Sequence, residues 1–140
     1  MKRHTIEGKE ITVWFSCGAA SAVAAKKTIE IYGKKNNIRV VNNPIKEEHE
    51  DNQRFLKDIQ TWIGKDIEFA INPKFPDCST ETVWRERKFM SGPIGAPCTL
   101  HLKKNARQYW EAPNDRDWET IWKFRIYCKL NIFAYPCLYV

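Results

Sequence analysis

The chain has 140 residues, with 23 Lys plus Arg against 17 Asp plus Glu, for a formal charge of +6. That length suits one domain with a real hydrophobic core. No apolar run reaches the roughly 20 residues needed to cross a bilayer, and the charged start Met1-Lys2-Arg3-His4 lacks the apolar segment of a secretory signal.

Five cysteines, an odd number with no C-x-x-C pair, do not make a disulfide framework. A reducing, cytoplasmic location is therefore expected. The basic excess favours anionic partners. No RNA-binding signature, zinc finger or arginine-rich run accompanies it, so neither nucleic acid nor a membrane is the expected partner.

After a polar arm over residues 1–10, Ile11-Thr12-Val13-Trp14-Phe15 reads as a short buried strand. A small-residue turn follows at Ser16-Cys17-Gly18-Ala19. An Ala-rich helix then runs to about Tyr32, where Gly33 suits a left-handed cap. Strand, small-residue turn and helix N-terminus together form an anion site, because free N–H groups converge where the helix dipole is positive. Ser16 and Ser21 add hydroxyls. An ordinary tight βα junction, with small residues for close packing, accounts for the same pattern.

Ile38-Arg39-Val40-Val41 is the second strand, and right-handed βαβ closure makes it parallel to the first. The chain then leaves the strand's carboxyl end, the ligand-binding edge of open α/β sheets, through Asn43, Glu48 and His49. A helix over residues 51–63 is expected, with Phe55, Ile59, Trp62 and Ile63 on one face, Asp51 capping its first turn and Gly64 ending it. Residues 67–71 form the third strand. A two-proline loop leads to a helix capped by Ser79 or Thr80 and reaching about Met90, which carries Arg85, Arg87 and Lys88.

The glycine/proline loop 91–97 delivers Cys98 and Thr99 to a further helix, with Leu102, Ala106, Tyr109 and Trp110 on one side and Lys103 and Lys104 one turn in. A lysine can offer a phosphate its point charge. From Trp122 to Ile132 the even positions are apolar and the odd ones mostly polar, the pattern of a half-buried strand. The apolar end at 133–140 invites pairing, so self-association through this tail is expected.

Ser16-Cys17-Gly18-Ala19-Ala20-Ser21 resembles the pyrophosphate loop, S-G-G-x-[D/Q]-S, of the adenine-nucleotide α-hydrolase-like superfamily. Glu48-His49-Glu50-Asp51-Asn52 and the run from Gly92 to Thr99, with Lys103 and Lys104, come in the order and spacing of its phosphoadenosine-phosphosulfate (PAPS) reductase branch, whose compact members are often phage-encoded. The resemblance spans about residues 11–111. It implies an α/β fold with a mostly parallel Rossmann-like sheet between helical layers, over residues 1–112, with 113–140 as an atypical tail.

It further implies an adenine nucleotide at Ser16, Cys17, Gly18, Ala19, Ala20 and Ser21, with the adenosine near Asn43, Glu48 and His49. The far phosphate or sulfate would lie toward Gly95, Cys98, Thr99, Lys103 and Lys104. Two departures bear on the chemistry. Ala20 stands where loop-acid members hold magnesium, and a methyl cannot replace a carboxylate. This weakens the ATP-pyrophosphatase or adenylyltransferase alternative, in which magnesium would enter with ATP, and no other metal or cofactor is expected. The Glu-Cys-Gly-Leu-His motif of true reductases is missing; Cys128 and Cys137 stand in other contexts. A non-catalytic nucleotide- or protein-binding module is thus a further alternative. Cys17 has the helix-terminal setting that lowers a thiol pKa, although it falls at a family glycine and reads as structural. Cys98-x-x-His101 gives two ligands, too few for a zinc site.

Overall fold

The computed structural model describes residues 7–112. The elements run β1 (Glu10–Phe15), α1 (Ala19–Tyr32), β2 (Asn37–Asn42), α2 (Asp51–Ile63), β3 (Ile67–Phe69), α3 (Thr80–Arg87), a π-helical segment (Thr99–Asn105) and α4 (Ala106–Glu111). The three strands form a parallel sheet in the order β1-β2-β3, with Val13 beside Val40 and Val40 beside Ile67. The protein is therefore an α/β structure with helices flanking a parallel sheet. The proposed strand over 122–132, Cys128, Cys137 and the apolar tail lie outside the described residues.

Strand alternation divides the sheet into two faces. Ile11, Val13, Phe15, Ile38, Val40 and Ile67 share one core with Ala22 and Ala25 of α1 and Ile59 and Ile63 of α2. The alanines let α1 lie close to the strands, while Phe55 of α2 stacks on Phe15 at 6.3 Å between ring centroids. Trp62, expected on the buried face, is 48% exposed instead, with Lys26 donating to its carbonyl at 2.7 Å.

The opposite face carries Thr12, Trp14, Arg39, Val41 and Glu68. Here the cover comes from α4. Trp110 meets Trp14 edge-on at 5.5 Å, the Arg39 guanidinium lies 4.7 Å from the Trp110 ring, and that of Arg107 lies 4.5 Å from Trp14. Arg39 also grips both carboxylate oxygens of Glu68.

Several local expectations need correction. Gly33 is not left-handed: its φ is −63°, and glycine is required because a Cβ would come within 2.4 Å of the Ile29 carbonyl oxygen. Gly64 does take the left-handed cap, at φ 69°. Asp51 is the first helical residue of α2, not its cap, and its carboxylate pairs with Arg54. β3 stops at Phe69. α3 ends at Arg87, because Lys88 turns left-handed and donates its amide to the Trp84 carbonyl, leaving Phe89 and Met90 exposed.

The last helical stretch was expected to be plain α-helix and opens instead as a π-helix. Such widening adds a residue per turn and shifts the phase of the residues downstream. Leu102 and Ala106 remain buried while Tyr109 turns outward.

Candidate functional site

The 16–21 loop begins where β1 and β2 end together, at the paired residues Phe15 and Asn42. Asn42 is buried, and its Nδ2 donates to the Phe15 carbonyl at 2.8 Å and reaches Cys17 Sγ at 3.6 Å. That clamp fixes the exit of the strand. Cys17 then bends at φ 55°, the left-handed region that costs a side chain about 1 kcal/mol and favours glycine. The glycine of the resembling loop pattern at this position thus has a conformational reason.

Ser21 reaches back from the first turn of α1 into the loop. Its Oγ accepts the amides of Ser16 (3.2 Å) and Gly18 (3.3 Å) and lies 3.2 Å from Ser16 Oγ, while its hydroxyl donates to the Gly18 carbonyl at 2.8 Å. The first helical bond is Ala22 N–H to the Gly18 carbonyl. Among the described residues, the amides of Cys17, Ala19, Ala20 and Ser21 have no partner. Ser16, Ala19 and Ala20 are exposed, and Cys17 and Ser21 are half-buried. Preformed by its own serines, the loop offers donors and a helix dipole to an anion.

Cys17 is not a thiolate. Burial pushes its pKa up, the nearby Glu48 carboxylate adds to this, and the Asn42 hydrogen bond opposes them only in part. The helix-terminal setting that lowers a thiol pKa is thus outweighed by burial, in line with a structural Cys17. The same effect places the charge of Glu48 beside the loop. Glu48 is exposed, with Oε2 accepting from Asn52 Nδ2 at 3.0 Å. His49 uses Nδ1 to accept the Asp51 amide at 3.1 Å, taking over the capping role expected of Asp51. Asn43 is buried and committed at both ends: Nδ2 donates to the Ala70 carbonyl at 3.1 Å, and Oδ1 accepts from Arg107 Nε at 3.1 Å.

The remaining candidates group around a second small core of Phe75, Val83 and Leu102, with Cys98 and Ile45 packed against it. Gly95, at φ 105°, closes a tight bridge with Gly92. Thr99 opens the π-helical segment, which carries Lys103 and Lys104, and neither lysine holds a hydrogen bond or ion pair among the described residues. Ties from this segment and α4 run through Asn72, whose Nδ2 donates to the His101 carbonyl at 2.9 Å, and through Asn43. No hydrogen bond among the described residues joins the segment to the loop. Of the three exposed cations at the end of α3, Arg85 is paired with Glu81.

Sequence reasoning missed Glu47. Partial burial opposes its ionisation, but hydrogen bonds from the Ser79 hydroxyl and from the Thr80 amide and hydroxyl outweigh that and hold its pKa at about 2. It fastens the turn after β2 to the start of α3. A capping serine at 79 was legible, but its acidic partner 32 residues earlier was not.

Among the described residues no group of three or more His, Cys, Asp or Glu gathers to hold a metal ion. Cys98 sits in the apolar cluster. His101 tilts against Phe75 at 5.2 Å, and burial, reinforced by Arg87, lowers its pKa. A polar recess of about 430 Å³ lies at the amino end of the sheet, lined by Asn37, Ile38, Arg39, Lys65, Asp66 and Glu68, where the Arg39–Glu68 pair already satisfies its own charge. No helix among the described residues is long and apolar enough to cross a membrane. No family model matches the chain, and no match was found among curated proteins or solved structures.

Proposed function

We propose that this chain binds a phosphorylated or sulfated adenine nucleotide, in the manner of the PAPS reductase family, with the nucleotide's phosphate on the 16–21 loop. The observation that carries the reading is the group of four partnerless amides at Cys17, Ala19, Ala20 and Ser21, presented at the carboxyl edge of a parallel sheet beside the Ser16 and Ser21 hydroxyls. Open α/β sheets bind ligands at that edge. The order of the three motifs along the chain supports adenosine as the carrier of the anion.

The chemistry of the loop favours binding over turnover. Ala20 supplies no metal ligand. The Cys17 thiol stays protonated, with a left-handed backbone and a partly buried sulfur. The loop therefore holds an anion through neutral donors and the helix dipole, and sequestration fits it better than attack on the bound ligand.

Calorimetric titration of the full chain with ATP, PAPS and adenosine 3′,5′-bisphosphate, each with and without magnesium, tests the reading. Ser16→Ala should weaken binding roughly tenfold to a hundredfold, the worth of one hydrogen bond to a charged group, with an unchanged circular dichroism spectrum. Lys103→Ala should do the same if the π-helical segment closes on the ligand. Unchanged affinity in both variants, or no binding at all, overturns the proposal. Pyrophosphate release with magnesium and ATP would replace it with a hydrolase.

A further inference from the structure

Beyond α3 the chain puts large apolar side chains into solvent. Lys88 turns left-handed, and Phe89 and Met90 are carried outward. Gly92 and Gly95 then exchange two backbone hydrogen bonds, at 2.9 and 3.2 Å, which close a tight loop over Pro93 and Ile94. Ile94 is 102% exposed, so nothing in the fold shields it. Turn tips ordinarily carry Gly, Asn, Asp or Ser, each for a backbone reason. Isoleucine has no such reason, and here it adds nothing to the core. With Leu100 also exposed, four large apolar residues stand out along one short stretch, which marks an interaction site and not scattered exposure.

The charge around these residues has one sign. Glu86 is the last acid before them, and from Arg87 to Trp110 the chain carries five cations and no acid, against a net +6 for the whole chain. Arg107 is turned inward onto Trp14 and Asn43. Arg87, Lys88, Lys103 and Lys104 hold no ion pair among the described residues. Val83 of α3 and Leu102 of the π-helical segment share one small core with Phe75, so the cations of the two elements belong to one region.

A lipid interface complements both features. Its apolar layer envelops a protruding side chain without a preformed pocket, and its anionic headgroups attract the cations around it. Lysine, which supplies three of the four unpaired cations, is depleted from protein interfaces but serves anionic lipid well. Nucleic acid matches the charge but not Met90 and Ile94, which neither stack nor hydrogen-bond. We propose that this chain rests on an anionic membrane surface through residues 87–94, with Phe89, Met90 and Ile94 entering the headgroup layer and Arg87 and Lys88 meeting the headgroups. Lys103 and Lys104 add their field. The segment lies on the bilayer and does not cross it. This departs from the expectation drawn from composition, which could not show that Ile94 stands clear of the fold.

Co-sedimentation of the full chain with vesicles tests this, one set of phosphatidylcholine alone and one with about a third phosphatidylserine. The chain should bind the anionic set at least about tenfold more tightly, and roughly 0.5 M salt should remove most of that advantage. Ile94→Ser, which adds no charge, should weaken binding to the anionic set about tenfold, with an unchanged circular dichroism spectrum because Ile94 is fully exposed. Arg87→Gln combined with Lys88→Gln should cost a similar factor there and leave binding to phosphatidylcholine alone unchanged. Anionic binding that survives Ile94→Ser means a merely basic surface. Equal binding to the two sets, or none, leaves the apolar residues to a protein or nucleic-acid partner. Either result overturns the proposal. Nucleotide affinity should be the same in Ile94→Ser as in the unaltered chain, so failure of the membrane surface leaves the loop reading standing.

Discussion

On the face of the sheet that meets α1 and α2, Val13, Val40 and Ile67 stand in one row, and they belong to one apolar core. On the other face the neighbouring row is Trp14, Val41 and Glu68, and the cover is a ladder of Arg39, Trp110, Trp14 and Arg107. The first face is held by area removed from water, which is non-directional and has no charge to screen or titrate. The second is held by ion pairs and cations over rings, which need their partners in place and respond to salt and pH. One sheet therefore rests on two kinds of cohesion, and perturbations can tell them apart.

The largest effect should come from the apolar face. Ile11 is 2% exposed in the middle of that core, and Ile11→Ala removes buried methyl groups and leaves a cavity. A loss of about 3 kcal/mol is expected. In urea unfolding this appears as a lower midpoint with an unchanged slope, and the loss is equal in dilute buffer and in 1 M salt. A strongly salt-dependent loss would mean that the two faces are not energetically distinct.

That asymmetry also explains what could be read from the sequence. The strand read at residues 11–15 is β1 to within one residue, and α2 spans the residues expected of it, because each turns an apolar set onto one core, Trp62 excepted. The opposite face gave no such signal. Thr12, Trp14, Arg39 and Glu68 look solvent-facing in a linear chain, and their meaning depends on Trp110 arriving from far downstream. The buried amides of Asn42, Asn43 and Asn72 were invisible as a set for the same reason. Each stitches one loop at the carboxyl edge to a partner 27 or 29 residues away, and Asn43 reaches Arg107 across 64. The anion loop was legible because its donors are local. Glu48 was legible for a related reason, as a residue of the carboxyl exit of β2, whereas Glu47 beside it was not, because its partners Ser79 and Thr80 come from α3.

A smaller effect is expected on the polar face. Trp110→Ala removes the half-buried indole that both Trp14 and Arg39 contact, and should cost about 2 kcal/mol, less than a fully buried tryptophan. Combining it with Arg39→Met should give less than the sum of the two single losses, because the pair shares one contact. Arg39→Met alone should cost about 1 kcal/mol or less and shrink in 1 M salt, as half-exposed ion pairs do. Strict additivity of the two substitutions would remove the ladder as a unit and leave three separate contacts.

The smallest effect is a matter of acid. Glu47 ties the turn after β2 to α3, and its folded pKa of about 2 lies below the ordinary 4.5. A carboxylate with a depressed pKa contributes its stability fully above the ordinary value. Between about 4.5 and 2 the unfolded chain binds more protons than the folded one, so stability falls as pH falls through that interval. Because the group is largely open to solvent, the contribution is on the order of 1 kcal/mol. Glu47→Gln should lower the melting temperature slightly at pH 7 and flatten its decline toward pH 3. Glu68, whose pKa the Arg39 hydrogen bonds also hold down, leaves a residual acid dependence in that variant. Adding Arg39→Met to Glu47→Gln should shrink this remainder further, leaving the share of Asp51 and Asp77, whose pKa values hydrogen bonds from Arg54 and Thr82 hold down. An acid limb unchanged in the double variant would place the titrating group elsewhere and deny the polar ties their share of the stability.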